Sequence, residues 1–300
     1  MSIYNLKIAD FFVRVNFACA DGKGKFSLPA QYKPFLVTEE VADDACLFRL
    51  DVVDALPVSD VKEFVGKFTD ENATHEIVRL SDGGYRFSMF SIGQNGTLVY
   101  EMQLSADYSR ASVRIIDDKA RWLFGFNNAI MIAFALSAAP YGTLLMHSSV
   151  TMFNGNGYLF LGKSGTGKST HSGLWLKHVA GSELLNDDNP VVRYADGKAT
   201  VYGSPWSGKT HYYHNVKLPI AGIVRLSQAP YNKIKRLSVL EAFGALQPSC
   251  PPGLSHDNAF TDRIVEMIST VLQSVPLYHL ACLPDADAAK LSCETIFHQS

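Results

Sequence analysis

Tyr158-Leu159-Phe160-Leu161 runs directly into Gly162-Lys163-Ser164-Gly165-Thr166-Gly167-Lys168-Ser169, and Thr170 to Val179 then reads as a helix. An apolar strand, a loop of small residues and a helix, in that order, make a phosphate cradle. The glycines let backbone N–H groups turn inward around phosphate oxygens, the lysine reaches the β- and γ-phosphates, and the hydroxyl ligates Mg²⁺. The expected nucleotide-binding residues are therefore Gly162, Ser164, Gly165, Thr166, Gly167, Lys168, Ser169 and Thr170.

The same GxxxxGK[ST] pattern occurs a second time, at Gly203-Ser204-Pro205-Trp206-Ser207-Gly208-Lys209-Thr210. Context separates the two. Pro205 removes an amide donor and Trp206 is bulky where amides must converge, while His211-Tyr212-Tyr213-His214-Asn215 is a poor helix start with Pro219 soon after. The second match reads either as an ordinary strand connection with an aromatic packed underneath or as a mobile loop closing over the acceptor and the γ-phosphate, with an exposed Trp206 and with Lys209 stabilising charge on the transferred group. His211 and His214 lack an evident third ligand, so no metal site is expected there.

Working outward, Asp187-Asp188 lies 19 and 20 residues after Lys168, room for the helix and one short strand at 182–185, so the pair should emerge beside the cradle. Asp188-Asn189-Pro190 alone is turn chemistry; two carboxylates beside a Mg·ATP site favour a catalytic reading. Upstream, a strand from Thr143 to Met152 carries His147, 21 residues before Lys168, and Asn154-Gly155-Asn156-Gly157 turns it back into the strand of the cradle. No LSGGQ-like signature is present, and Asn232-Lys233-Ile234-Lys235 lacks the aspartate of a guanine-reading NKxD. Further on, strand and helix alternate: 220–226, 239–245, 258–273, 277–283 and a last helix from about Asp285.

Residues 119–139 form an apolar helix nearly long enough to be mistaken for a membrane span of ~20 residues. Asn127 and Asn128 lie inside it, Lys119 and Arg121 lead in, and Pro140 stops it, so it reads as a buried helix of a large domain. Before it the periodicity is mostly two, as in 85–92, 97–104 and 111–116 with turns at 81–84 and 94–96, which predicts a small antiparallel sheet with few helices. Residues 1–118 carry a net charge of −6 and residues 119–300 one of +4, which suggests a boundary at 118/119 between a β-rich domain of structural or recognition role and the cradle domain.

At 300 residues, 47% hydrophobic and 19% charged, the chain can bury one large core or two ordinary ones. A net charge of −2 offers no surplus for a nucleic-acid backbone. Five scattered cysteines without a CxxC spacing, and an N-terminus without a basic leader and apolar run, point to a reducing, cytoplasmic setting. Oligomeric state, homo-oligomers included, is left open.

A His strand, a hairpin, a GxxGxGKS cradle and a strand ending in Asp-Asp together resemble the catalytic domain of HPr kinase/phosphorylase, and the nucleotide domain of ATP-dependent phosphoenolpyruvate carboxykinase. The helix at 119–139 and Val275-Pro276-Leu277-Tyr278-His279-Leu280 are also similar to that group, over residues 119–300. The resemblance implies an α/β fold, a phosphoenolpyruvate carboxykinase-like P-loop domain with a mixed sheet preceded by a small β-rich domain. It implies ATP and Mg²⁺ as cofactors. Lys168 would neutralise the β- and γ-phosphates, Ser169 and Asp188 would hold Mg²⁺, Asp187 would be the base, and His147 would stand near the γ-phosphate or steady the pair. The long glycine-rich segment of HPr kinase/phosphorylase is absent, so HPr is not the expected substrate; the lysine and arginines of carboxykinase chemistry have no counterpart either. The expectation is a kinase that transfers the γ-phosphate of ATP to a hydroxyl, such as a serine, of a protein or small molecule. An ATP-binding sensor and a simple NTPase are the alternatives, and neither nucleic acid nor membrane is an expected partner.

Overall fold

The computed structural model describes residues 2–18, 27–69, 73–92, 96–116, 119–208, 210, 212–250 and 258–297. By its internal contacts the chain divides into two compact units, 1–140 with 253–261 and 141–252 with 262–300. Both carry β-sheet and helix, and both sheets are mixed.

In the first unit the described strands are β1 (Ser2–Ile8), β2 (Phe11–Phe17), β3 (Cys46–Val52), β4 (Val61–Thr69), β5 (Ala73–Leu80), β6 (Tyr85–Ser91), β7 (Leu98–Leu104) and β8 (Arg110–Ile115), followed by helix α1 (Lys119–Ala138). They form one sheet in the order β1-β2-β3-β8-β7-β6-β5-β4. The hairpin read at 85–104 is present, with Tyr85 opposite Leu104. The sheet departs from the expected antiparallel one, because β3 runs parallel to both β2 and β8.

The provisional boundary at 118/119 needs correction. Phe126, Ala129, Ile130, Ala133 and Phe134 of α1 are fully buried, and the helix packs on β3, β7 and β8 of this unit. A sheet with one apolar face must bury it against another layer, and α1 supplies that layer. Charge marked the start of the cover rather than the end of the domain. By length and composition α1 could cross a membrane, but most of it is buried against its own sheet.

The second unit contains β9 (Thr143–Leu145), β10 (Ser148–Phe153), β11 (Asn156–Leu161), α2 (Lys168–His178), β12 (Glu183–Asn186), β13 (Val191–Ala195), β14 (Lys198–Tyr202), β15 (Lys217–Gln228), β16 (Lys233–Arg236), α3 (Val239–Leu246), α4 (Asn258–Ser274) from Asp262 onward, β17 (Leu277–Cys282) and α5 (Ala286–Phe297). The sheet order is β12-β10-β11-β15-β14-β13-β9, with β17 on β15 and β16 on β17. β10 and β11 meet through Asn154 and Gly155, both at positive φ (47° and 73°), which is the two-residue turn that asparagine and glycine favour.

β11 is apolar without alternation because both of its faces are covered. Leu159 and Leu161 join a core with Ala242, Leu246, Ile268 and Val271 from α3 and α4. Tyr158 and Phe160 join another with Trp175, Ala289 and Ile296 from α2 and α5. β11 runs parallel to β15 and β15 to β17, while β10 lies antiparallel between β11 and β12. Consequently the C-terminal ends of β11, β12, β15 and β17 share one edge of the sheet.

Candidate functional site

The loop after β11 closes on itself before the helix begins. Thr166 donates its N–H to the Lys163 carbonyl at 3.1 Å, and a Cβ at Gly162 would stand 3.0 Å from Thr166, so the chain needs glycine to turn there. Gly165 and Gly167 take positive φ (76° and 108°), and Gly167 caps α2 without any side-chain hydrogen bond. Ser164 and Gly165 are exposed, as are Ser169 and Thr170 in the first turn of α2, while Thr166 is half-buried. Lys168 is buried, and its ammonium donates to the Gly162 carbonyl at 3.0 Å. All eight residues read from sequence as the cradle thus lie on one continuous turn at the start of α2.

α2 is anchored from below. His171 contacts Phe160 edge-on, its Nε2 lies 3.0 Å from Ser292 Oγ, and Trp175 Nε1 donates to the same hydroxyl at 2.9 Å. Burial holds the His171 pKa down at about 4, so the imidazole is neutral near pH 7.

The expected single strand over 143–152 is broken at Met146-His147. β9 pairs with β13, whereas β10 pairs with β11 and β12. At the crossing Met146 N–H donates to Pro190 O, His147 N–H to Ser249 O (2.7 Å) and Ser148 N–H to Asp188 O (2.9 Å). These bonds seat His147 against the turn after β12, and its Nε2 lies 3.6 Å from Asp188 Oδ1.

That turn is itself held in shape, since Asn186 Oδ1 accepts from Asp188 N–H at 3.0 Å and Asn186 Nδ2 donates to Ser204. Burial raises the pKa of the Asp188 carboxyl, with Asp187 pushing the same way and His147, Lys168 and Asn189 opposing. Asp188 therefore feels both the cradle lysine and His147. Asp187 Oδ1 is buried with no hydrogen-bond partner among the described residues. Lys168, His147 and Asp187 thus all lie near the Asp188 carboxylate.

The second GxxxxGK[ST] match connects β14 to β15 and lies against the carboxylate turn. Asp187 N–H donates to Ser207 Oγ at 3.1 Å, Thr210 Oγ1 is 3.5 Å from Asp187 Oδ2, and a Cβ at Gly208 would stand 3.1 Å from that of Asp188. Within it Trp206 N–H donates to Ser204 Oγ, and Trp206 O accepts from Asn189 N–H. Trp206 is 5% exposed, which matches an aromatic packed under a strand connection and not the exposed aromatic of a mobile loop. Lys209 and His211 lie outside the described residues. Sequence reasoning missed Asn186, Ser204 and Ser207, although the run Asn186-Asp187-Asp188-Asn189-Pro190 was a visible turn signal.

Among the described residues no three His, Cys, Asp or Glu side chains gather as a self-sufficient metal site. A hydroxyl from Ser169 and a carboxylate from Asp188 are hard oxygen donors, the set that suits Mg²⁺ shared with phosphate oxygens. The donor chemistry therefore fits the ion.

No family model matches the chain, and no curated protein matches it. Among solved structures it is similar to the Hpr(Ser) kinase/phosphatase from Coxiella burnetii, at 11% identity over 52% of this chain and 88% of that one, with a TM-score of 0.30. A likeness of that size is too slight to bear on the activity.

Proposed function

We propose that the protein is an ATP-dependent phosphotransferase whose second unit is a phosphoenolpyruvate carboxykinase-like P-loop domain. The observation that supports this best is the convergence of a buried cradle lysine, Lys168, with a carboxylate pair one of whose oxygens, Asp187 Oδ1, has no partner among the described residues. Phosphoryl transfer needs positioning and charge neutralisation more than covalent help from the protein. Lys168 and the amides of Gly162–Ser169 would hold the β- and γ-phosphates. Mg²⁺ held by Ser169 and Asp188 would supply further neutralisation of those oxygens. Asp187 Oδ1 would take the proton as the acceptor oxygen bonds to the γ-phosphorus and the bond to the β-phosphate oxygen breaks, releasing ADP. His147, beside Asp188, would steady that carboxylate. The acceptor is a hydroxyl, such as a serine, on a protein or a small molecule, and a cytoplasmic setting suits the supply of ATP.

The test is incubation of the purified protein with γ-labelled ATP, Mg²⁺ and a cell extract. Label on a protein or small molecule supports the proposal. Label released only as free phosphate would make the protein an NTPase, and untouched but bound ATP would make it a sensor.

A further inference from the structure

On the α3 side of the sheet a cleft of about 660 Å³ opens directly off the cradle. Strand register builds it: Leu161, the last residue of β11, pairs with Arg225, Arg225 with His279, and His279 with Lys235. One cross-strand row thus carries three basic side chains away from the cradle over β15, β17 and β16. Lys163, Ser164, Gly165 and Thr166 of the cradle loop line it, as do Leu237 and, from α3, Glu241 and Ala245. Gln228 Nε2 donates to Gly165 O at 3.3 Å, tying the floor of the cleft to the cradle loop.

Most of the polar groups are already satisfied. Lys235 is bound to Glu241 at 2.9 Å, and Glu241 also closes the capping box on Ser238. His279 Nε2 lies 2.9 Å from Ser227 Oγ, and burial, with Lys235 and Arg225 nearby, lowers its pKa, so it adds no charge near pH 7. Arg225 is different: half-buried in the cleft, it makes no hydrogen bond or ion pair among the described residues. A guanidinium has five donors, and one left without partners on a cleft wall is suited to a ligand.

Sheet order says which part of a ligand. Asp187 and Asp188 follow β12, two strands from β11 on one side, whereas Arg225 lies one strand, about 4.8 Å, away on the other. A phosphate chain lying across the start of α2 with its γ end at the carboxylates must leave toward β15, into this cleft. Its volume falls within the ~300–1,000 Å³ of small-molecule sites, and the apolar Leu237 and Ala245 with the polar Arg225 suit a base and a ribose. Resting on the phosphotransferase reading above, we infer that this cleft is the nucleoside subsite, held chiefly by Arg225, and that the donor is a nucleoside triphosphate rather than an inorganic polyphosphate.

Calorimetric titration of ATP and of inorganic pyrophosphate into wild type, Arg225→Ala and Arg225→Lys tests this, with circular dichroism checking that each variant is folded. Pyrophosphate fills only the cradle. Arg225→Ala should weaken ATP about tenfold or more and leave pyrophosphate within about threefold, and Arg225→Lys should recover part of the loss. Equal losses for both ligands would put Arg225 in the cradle, and no loss for either would leave the cleft outside the donor site; each overturns the inference while the phosphotransferase reading stands. A wild type that binds neither ligand would overturn both.

Discussion

Lowering the pH from 7 to 5 should loosen the helix that carries the cradle, and His171 is the reason. It is 3% exposed, three residues after Lys168, with its ring against Phe160 and its Nε2 on Ser292. Burial holds its pKa at about 4, against 6.5 for an exposed imidazole. Unfolding frees the ring to take a proton the folded state refuses. The stability tied to the neutral ring is therefore intact above pH 6.5 and is lost as the pH falls toward about 4. That gap corresponds to about 3 kcal/mol, of which about 2 kcal/mol is gone by pH 5. The measurement is urea unfolding at pH 7 and pH 5 of wild type and His171→Leu, in a background of Trp122→Phe and Trp206→Phe. Trp175 is then the one remaining tryptophan of three, and it packs in the same cluster. Every other titration is common to both proteins and cancels. Leucine costs packing at either pH, but the stability gap between the two proteins should shift by about 2 kcal/mol in the variant's favour at pH 5. A gap unchanged between the two pH values would refute the reasoning, because His171 would then titrate alike folded and unfolded.

Three further outcomes are expected. Lys168→Ala should weaken ATP binding about 100-fold or more, read by calorimetry on the folded variant, because the amides alone cannot replace a charge-assisted contact to phosphate. Asp187→Asn should leave ATP affinity within a few-fold and lower turnover about 10²–10⁴-fold in the labelled-ATP assay, since an amide cannot accept the acceptor's proton; wild-type turnover would exclude Asp187 as the base. Gly222→Val should cost about 1–3 kcal/mol in urea unfolding, because a Cβ there falls 2.8 Å from Ile296 of α5, and Ile296→Ala in the same chain should restore part of the loss.

Local rules carried further in the second unit than in the first. The strand, cradle and helix at 156–178 and the hairpin turn at Asn154-Gly155 follow from glycine conformations and apolar runs that a short window contains. What stayed hidden depended on pairing across distance. Thr143 to Met152 is uniformly strand-like, and nothing within it says that Thr143–Leu145 pairs with β13 while Ser148–Phe153 pairs with β11 and β12. The break that places His147 beside Asp188 is a property of two ladders, not of the segment. Arg225, His279 and Lys235 are likewise scattered over 55 positions of sequence and form a row only through the register of three strands. In the first unit, charge composition put the boundary before α1, where the need of a sheet for cover put it after.

The two GxxxxGK[ST] matches show why a pattern must be read with its hydrogen bonds. A phosphate cradle has to keep amides available, and at the first match the residue that caps α2 is Gly167, which has no side chain to bond the first turn. At the second, Trp206 N–H is spent on Ser204, and the loop's carbonyls and hydroxyls receive Asn186, Asn189 and the Asp187 amide. The loop thus has its Trp206 amide closed to a phosphate. The bonds it accepts come from the turn that carries Asp187 and Asp188, so the loop fixes the carboxylates instead. Its small residues are needed for that packing: a Cβ at Gly203 would fall 1.9 Å from His214 O, and one at Gly208 would press on Asp188. The glycines that make the second match mimic the first are there to bring one backbone close to another.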